Sequence, residues 1–251
     1  MAMAEGFGVS VRIIPDWQLH NLVYSKGIST IKFEDFLGIH TLALYNTPTD
    51  SVSIMIKTFV DYVLASFVLF FSFPLFLFVA ISIKISSPGP VFFEQERSGK
   101  NGRRFMVKKF RTMVASAEKQ REKLEALNES DGPVFKIKDD PRIIPVIGVL
   151  LRRTSLDELP QLINVIKGEM SLVGPRPPIP SEVDEYEIWQ RRRLSMKPGL
   201  TCLWQVTPKR NEVSFKEWMK MDLNYIDTWS LWLDFKILFK TVIVILFGFG
   251  R

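Results

Sequence analysis

The segment Tyr62-Val-Leu-Ala-Ser-Phe-Val-Leu-Phe-Phe-Ser-Phe-Pro-Leu-Phe-Leu-Phe-Val-Ala-Ile-Ser-Ile83 holds 22 residues without a charge. As a helix rising about 1.5 Å per residue it reaches about 33 Å, enough to cross a hydrocarbon core of about 30 Å. Near its middle stands Pro74, in Ser72-Phe73-Pro74-Leu75. A proline there removes a backbone donor and sets its ring against the preceding turn, which costs a helix about 3 kcal/mol unless a neighbour satisfies the freed carbonyl. Ser72 stands next to the break and offers a hydroxyl for that purpose. A straight transmembrane span and a broken helix that enters and leaves on one face both fit the pattern.

Behind this segment Lys84 is followed by Arg97, Lys100, Arg103, Arg104, Lys108, Lys109 and Arg111, with no acid between residues 97 and 111. The positive-inside bias places that flank in the cytoplasm. The apolar stretch lies too far from the start, and lacks the small-residue cleavage site, to read as a signal peptide. Ahead of it, residues 8–14 alternate like a strand, and short apolar runs follow at Ile28–Ile31 and Thr41–Tyr45. Residues 1–55 therefore read as a partial module with short strands, residues 56–86 as the membrane element, and residues 87–251 as the main domain. Within the last, Pro88-Gly89-Pro90 predicts a turn and Val91–Glu94 a strand, and Ala115–Leu127 predicts a charged helix with Arg121 and Glu125 paired. Residues 146–152 and 159–167 predict helices, the second stopped at Gly168. Leu231 to Gly250 is aromatic and apolar but ends in only ten uncharged residues, too few to span, and predicts an interfacial helix. The class is α+β with helices predominating.

Composition narrows the chemistry. The chain of 251 residues is 47% apolar, ample for a packed core. A single cysteine, Cys202, forbids an internal disulfide and every cysteine-cluster metal site, and reads as a small buried hydrophobe. The two histidines, His20 and His40, both precede the membrane element. Catalysis in the main domain therefore falls to carboxylates, Lys and Arg, hydroxyls and backbone. The net charge of +6 is uneven: the first 86 residues hold five Lys and Arg against six acids, leaving 28 basic and 21 acidic residues for the remainder. That part meets an anion. A mean hydropathy of +0.09 and twenty Phe favour a membrane surface over nucleic acid, and no basic-aromatic RNA signature occurs. Neither a phosphate-binding Gly-x4-Gly-Lys loop nor a dinucleotide glycine loop is present.

The acids that stand out are Asp157 and Glu158, between Arg152-Arg153-Thr154-Ser155 and the helix opening at Leu159-Pro160. Ser155-Leu156-Asp157-Glu158 has the pattern of a capping box, which by itself accounts for both carboxylates. The alternative is chemical: a carboxylate kept ionised by arginines is a competent nucleophile toward phosphorus, and a second beside it can hold metal or manage protons. Such a site needs a basic cradle, and Lys109, Arg111, Arg152, Arg176 in Gly-Pro-Arg-Pro-Pro, and Arg210 offer one. Arg191-Arg192-Arg193 reads as a solvated helix face, and Trp204 as a core indole.

Taken together, the runs Pro88-Gly-Pro-Val-Phe-Phe-Glu-Gln-Glu-Arg-Ser-Gly-Lys-Asn-Gly, Lys109-Phe-Arg-Thr-Met, Asp140-Pro-Arg, Arg152-Arg-Thr-Ser-Leu-Asp-Glu-Leu-Pro-Gln-Leu, Lys167-Gly-Glu-Met-Ser-Leu-Val-Gly-Pro-Arg-Pro and Lys197-Pro-Gly-Leu-Thr resemble the bacterial sugar transferase family over residues 56 to 251. These are monotopic polyprenyl-phosphate phosphoglycosyl transferases that start exopolysaccharide and O-antigen assembly. The resemblance implies a re-entrant helix-break-helix with interfacial amphipathic helices, at the bacterial inner membrane with the catalytic domain facing the cytoplasm. It implies transfer of sugar-1-phosphate from a UDP-sugar to undecaprenyl phosphate with release of UMP. By residue match Asp157 is the nucleophile and the Mg²⁺ site, and Glu158 assists. Lys109, Arg111, Arg152, Arg176 and Arg210 match basic positions that contact phosphate, and Ser72 and Pro74 form the membrane break. The match is not complete: Phe73 intervenes in the usual Ser-Pro, Thr201-Cys202 replaces Thr-Gly, and Thr207-Pro208-Lys209-Arg210 is one residue longer than the usual loop. Residues 1–55 resemble the tail of the N-terminal module of longer members. A homodimer is compatible with this reading, and the sugar is left open. Two rivals are a non-catalytic membrane scaffold of a polysaccharide assembly complex and a basic nucleic-acid-binding membrane protein.

Overall fold

The computed structural model describes residues 11–13, 30–45, 48, 50–121, 123–124, 128–129, 132–135, 137, 140–208 and 213–246. Near the N-terminus, strands β1 (Val11–Ile13), β2 (Thr30–Phe36) and β3 (Ile39–Tyr45) form an antiparallel sheet in the order β1-β3-β2. Leu37 and Gly38 both take positive φ in the two-residue turn between β2 and β3, the twist that suits a tight hairpin.

Helix α1 (Ser51–Phe71) opens at Asp50, whose side chain accepts from the Val52 amide at 3.1 Å. It is long and apolar enough to cross a membrane. The helix stops at Ser72, and α2 (Phe73–Ser86) begins immediately with Pro74 in its first turn, where a missing N–H leaves no intrahelical bond unmade. Ser72 serves the broken ladder: its amide donates to the Val68 carbonyl at 2.9 Å and its hydroxyl to the Leu69 carbonyl at 3.3 Å. The carbonyl that Pro74 leaves without its usual donor is that of Phe70, four residues back, so the hydroxyl bond runs one residue away from the one expected of this serine.

Only one stripe of each helix touches protein. On α1 the buried positions are Lys57, Asp61 and Ala65, spaced at i,i+4, and they face α5 (Gln161–Ile166) and strand β6 (Ser171–Val173). On α2 the buried Val79 and Ile83, with Phe76 and Ala80, pack on Leu151 of α4 (Ile147–Thr154) and on Phe110. Elsewhere the surface is apolar and open: Phe59, Phe67, Phe71, Phe73 and Phe78 are exposed, and Phe70 is 74% exposed. A contiguous face of that kind belongs against lipid or another protein, not water.

The main domain is built on two small sheets. Strands β4 (Phe92–Ser98) and β5 (Arg104–Phe110) pair antiparallel from Phe92↔Phe110 to Ser98↔Arg104. The sequence reading started this strand one residue early and ended it four residues short. Beyond it, α3 covers Ala117–Arg121; the rest of the expected helix, with the Arg121–Glu125 pair, lies outside the described side chains. Strand β6 pairs parallel with β7 (Gly199–Thr201), and here the Gly174 and Gly199 backbones approach so closely that a Cβ on either would overlap the other's chain. Short helices α6 (Pro180–Asp184) and α7 (Ile188–Arg191) lead into the turn Arg192–Ser195. Helix α8 (Phe215–Thr228) starts with a capping box between Ser214 and Glu217, and α9 (Leu231–Leu246) closes the domain. The core joins Ala65 of α1 to Val107, Leu162, Val165, Val173, Ile226 and Ile237.

A buried polar cluster locks α1 to this core. The Lys57 ammonium donates to Asp234 Oδ2 at 2.6 Å and to the Val173 carbonyl at 3.0 Å. Asp234 also accepts from the Tyr225 hydroxyl at 2.7 Å and from Trp229 Nε1 at 3.1 Å. One turn along α1, Asp61 accepts from Ser171 Oγ at 2.6 Å and from the Leu172 amide at 3.2 Å. Lys57→Met is expected to leave two buried carboxylates without their cation and to lower stability by about 3–5 kcal/mol. Thermal or denaturant unfolding in detergent reads this, and a loss under about 1 kcal/mol would show the cluster to be incidental.

Candidate active site

The positions of Asp157 and Glu158 follow from how α4 ends. Ser155 takes a left-handed conformation, φ +56° and ψ 17°, and its amide returns to the Arg152 carbonyl. This conformation is disfavoured for a residue with a Cβ by about 1–2 kcal/mol. A single 3₁₀ turn, Leu156–Glu158, then leads into α5, with Leu156 and Leu159 packed among the apolar residues under α2. Two leucines anchored on one side leave the intervening carboxylates on the other. The capping-box expectation fails here: Ser155 makes no side-chain cap, and Glu158 turns instead to Lys109. A charged partner at 2.6 Å outcompetes a backbone amide for a carboxylate.

The two acids have opposite environments. Burial pushes the Asp157 carboxyl up to about 6 and the negative charge of Glu158 adds to this, against the pull of Lys109 and Arg152. Burial also works to raise Glu158, but the Lys109 ammonium, its hydrogen bond, the charge of Arg176 and a hydrogen bond from Gln161 outweigh it and hold Glu158 below its ordinary value. Adjacent carboxylates with separated proton affinities are the arrangement that divides two roles between chemically identical groups. At neutral pH both are ionised, and Asp157 is the more basic.

Asp157 borders a cleft of about 350 Å³ whose walls also carry Lys109, Arg97, Arg142, Arg152 and Arg176 on the polar side and Phe92, Phe93 and Phe135 on the apolar side, while Glu158 lines a small adjoining cavity that shares Lys109, Arg97 and Arg176. Arg152, in the last turn of α4, has a buried terminal nitrogen with no hydrogen-bond partner among the described residues, an unmet donor at the cleft wall. Arg176 is held between Pro175 and Pro177, with its guanidinium 5.3 Å from the Trp218 ring centroid. Arg111 lines the same cleft but is engaged otherwise: its terminal nitrogens donate to the Pro88 and Ser87 carbonyls at 2.9 and 2.7 Å, pinning the turn that leaves α2. Gly89 in that turn takes φ +122°, and a Cβ there would collide with the Arg111 guanidinium. Lys209 and Arg210 lie outside the described residues.

Three cleft residues, Arg97, Arg142 and Glu182, and Gln161 beside Glu158 carried no role in the sequence reading. Arg97 is buried and donates to the Pro177 carbonyl at 2.9 Å; burial lowers its pKa to about 10, so it stays charged at neutrality. Arg142 is clamped by Asp140 at 2.6 and 2.8 Å. Gln161 bonds Glu158, and Glu182 lines the wall. Arg97 and the Asp140-Pro-Arg142 unit stood inside quoted motifs, which was the available signal; Glu182 had none. The Arg191–Arg193 triplet is not a solvated face. Arg192 pairs with Asp227, and Arg193, 2% exposed, donates to Asp222 at 2.6 Å, to the Tyr186 hydroxyl at 2.7 Å and to the Arg176 carbonyl at 2.8 Å. Cys202 is buried as expected, and Trp204 is half-buried against Trp218.

Among the described residues no group of three or more His, Cys, Asp or Glu forms a cation cage. The donor set fits Mg²⁺ of the kind that takes one or two carboxylates and completes its shell with substrate phosphate and water. A guanidinium-rich cleft with one acid of the pair on its wall thus lies beside an apolar helix pair, in reach of an anionic ligand. Residues 52–248 match the family model described as bacterial sugar transferase, and the chain belongs to that family. It is 39% identical over 246 residues to galactosyl transferase CpsE of Streptococcus agalactiae, covering 95% of this chain and 54% of the relative. It is 39% identical over 241 residues to UDP-glucose:undecaprenyl-phosphate glucose-1-phosphate transferase of Escherichia coli, covering 93% and 48%, and 41% identical over 192 residues to exopolysaccharide production protein ExoY of Rhizobium meliloti, covering 75% and 84%. The chain thus spans about half the length of the first two relatives.

The environment of Asp157 has a measurable consequence. Its folded pKa is raised, so the ionised form is lost as pH falls through about 6 rather than 4, and folding is disfavoured by this group as pH rises through the same window. Carboxylate ¹³C titration of the metal-free protein, compared with Asp157→Asn, is expected to show one resonance moving near pH 6 that the variant lacks. A midpoint near 4 would contradict the account.

Proposed function

We propose that this chain is a phosphoglycosyl transferase of the bacterial inner membrane, passing sugar-1-phosphate from a UDP-sugar to undecaprenyl phosphate. The observation that carries this reading is the Asp157–Glu158 pair, with divided proton affinities, whose Asp157 lines a guanidinium-rich cleft and whose Glu158 is tied to the cleft lysine, Lys109. Asp157 attacks the sugar-bearing phosphorus of the donor; an oxygen–phosphorus bond forms to the carboxylate, the bond to the bridging oxygen breaks, and UMP departs with that oxygen. An oxygen of the lipid phosphate then attacks the same phosphorus and the carboxylate leaves, restoring Asp157 and yielding the lipid-diphosphate sugar. Arg152, Arg176 and Lys109 are placed to balance phosphate charge, and Arg210 is a candidate by motif alone. Arg111 acts by holding the turn behind the cleft. Glu158 keeps the Lys109 ammonium beside the nucleophile. Mg²⁺, held by Asp157 and phosphate oxygens, would neutralise the diphosphate while the nucleophile approaches.

The arrangement of the helix pair supports a monotopic, re-entrant seat. Both halves rest on one domain: Lys57, Asp61 and Ala65 against β6 and α5, and Val79 and Ile83 against α4. Trp232, Phe235, Phe239 and Val242, exposed along one side of α9, and Val149 and Leu150 on α4 supply amphipathic faces for the interface. Phe92, which lines the cleft, lies 5.7 Å from Phe76 of α2 and 5.6 Å from Phe110, giving a lipid phosphate an apolar approach. A dead scaffold would have no use for an intact acid pair and an unpartnered Arg152 nitrogen. The basic residues exposed behind α2, Lys100, Arg103 and Arg104, favour a cytoplasmic catalytic face.

Purified protein with Mg²⁺, undecaprenyl phosphate and a panel of UDP-sugars is expected to release UMP with at least one donor, and Asp157→Asn to lose at least about a thousandfold in turnover. No UMP from any donor, or full turnover in the variant, would sink the mechanism. Single cysteines at positions 50 and 100, in a background without Cys202, are expected to label from the same side of the membrane. Labelling from opposite sides would restore the straight span.

A further inference from the structure

Glu182 is a carboxylate that the reaction just described leaves idle. It sits in α6, is 4% exposed, and contributes to the wall of the cleft that holds Asp157 and Arg176. Among the described residues nothing donates a hydrogen bond to its side chain, and no lysine or arginine lies within ion-pair distance. The cations that act on it electrostatically are engaged elsewhere, Arg97 by the Pro177 carbonyl and Gln95, and Arg193 by Asp222, the Tyr186 hydroxyl and the Arg176 carbonyl. Its oxygens are not sealed off but open to the cleft, where a ligand can supply the donors they lack.

The donor's chemistry follows from charge. Phosphate oxygens only accept hydrogen bonds and would be repelled by this group, so the diphosphate belongs with Arg152, Arg176 and Lys109. What remains of a nucleotide sugar is neutral and rich in hydroxyls, which donate to a carboxylate readily. The location agrees: Glu182 lies six residues beyond Arg176 on a segment fixed to the edge of β4, where the Ser98 amide donates to the Pro178 carbonyl at 2.8 Å. Ile179, on the same segment, also faces the cleft and gives the pocket an apolar shoulder beside the acid.

We propose that Glu182 accepts hydrogen bonds from ring hydroxyls of the bound nucleotide sugar and so takes part in selecting the donor. This rests on reading the cleft as a UDP-sugar site. The hydroxyls belong either to the transferred sugar or to the ribose, and the two are separable by experiment. A site built around a substrate hydroxyl rejects the analogue lacking it, because its own buried acceptor is left bare; removing the acceptor removes the discrimination.

The test uses the full chain as wild type, Glu182→Gln and Glu182→Ala, with the UDP-sugar that the wild type accepts, its singly deoxygenated analogues in the hexose, and the 2′-deoxyuridine and 3′-deoxyuridine donors. One analogue is expected to lower wild-type kcat/KM by about tenfold or more while changing the Glu182→Ala value by no more than about threefold. If that analogue is a deoxyhexose, UMP inhibits wild type and variant alike. If it is a deoxyribose donor, inhibition by UMP weakens in the variant by the same factor. Penalties equal in wild type and variants for every analogue would overturn the assignment, as would unchanged kinetics with the parent donor. Should Glu182→Ala unfold, Glu182→Gln carries the comparison at matched thermal stability. Failure of the wild type to release UMP would instead overturn the transferase reading.

Discussion

The Lys57 ammonium is where an apolar helix pair becomes part of a folded domain. It sits on the one buried stripe of α1 and reaches Asp234 and the Val173 carbonyl, and its neighbour Asp61 takes the Ser171 hydroxyl and the Leu172 amide. Strand β6, which supplies three of those groups, runs directly into Gly174-Pro175-Arg176. The cleft arginine is therefore three residues from the contact that seats the apolar helix pair. Without that contact the orientation of α1 on the domain would rest on a few apolar side chains, which fit equally well in lipid.

Similar economy governs the acid pair. Ser155 is bent left-handed, Leu156 and Leu159 are buried beneath α2, and the intervening residues are thereby turned into the cleft. Lys109 bonds Glu158 and holds its carboxyl low, while burial, helped by the charge of Glu158, raises Asp157 without neutralising it at pH 7. The hydrogen-bonded cation is aimed at the less basic of the two acids. Arg193 stabilises the opposite wall in the same indirect manner, holding the Arg176 carbonyl while it is itself enclosed by Asp222, Tyr186 and Trp218.

How much of this could be read from the residues depended on the distance over which each is decided. The break at Pro74, the turn at Pro88-Gly89-Pro90 and the helix stop at Gly168 are local consequences of backbone geometry, and they appear where expected. Asp157, Glu158, Lys109, Arg152 and Arg176 were visible as a chemical set; the cleft gathers all but Glu158, which is joined to it through Lys109. Arg111 was visible too, yet the carbonyls at Ser87 and Pro88 engage it. Ser155 and Glu158 matched a cap by spacing, but spacing cannot register that Lys109 lies 49 residues upstream in sequence and 2.6 Å away in space. The arginine triplet failed for the same reason, since Asp222 and Asp227 arrive from a helix still to come. Glu182 carried no pattern at all; only burial without a donor distinguishes it.

The partners of the Lys57 and Asp61 side chains also set an order of events. Asp234 lies 177 residues after Lys57. Asp61, one turn along the same helix, lies 3.7 Å from the Lys57 ammonium, so the two charges shield each other as soon as α1 forms. At a synthesis rate of about 5–20 residues per second the tighter contact with Asp234 comes roughly 9–35 s later. Because that contact ties α1 to α9, the position of the apolar pair on the domain is fixed only when its two most distant helices have met.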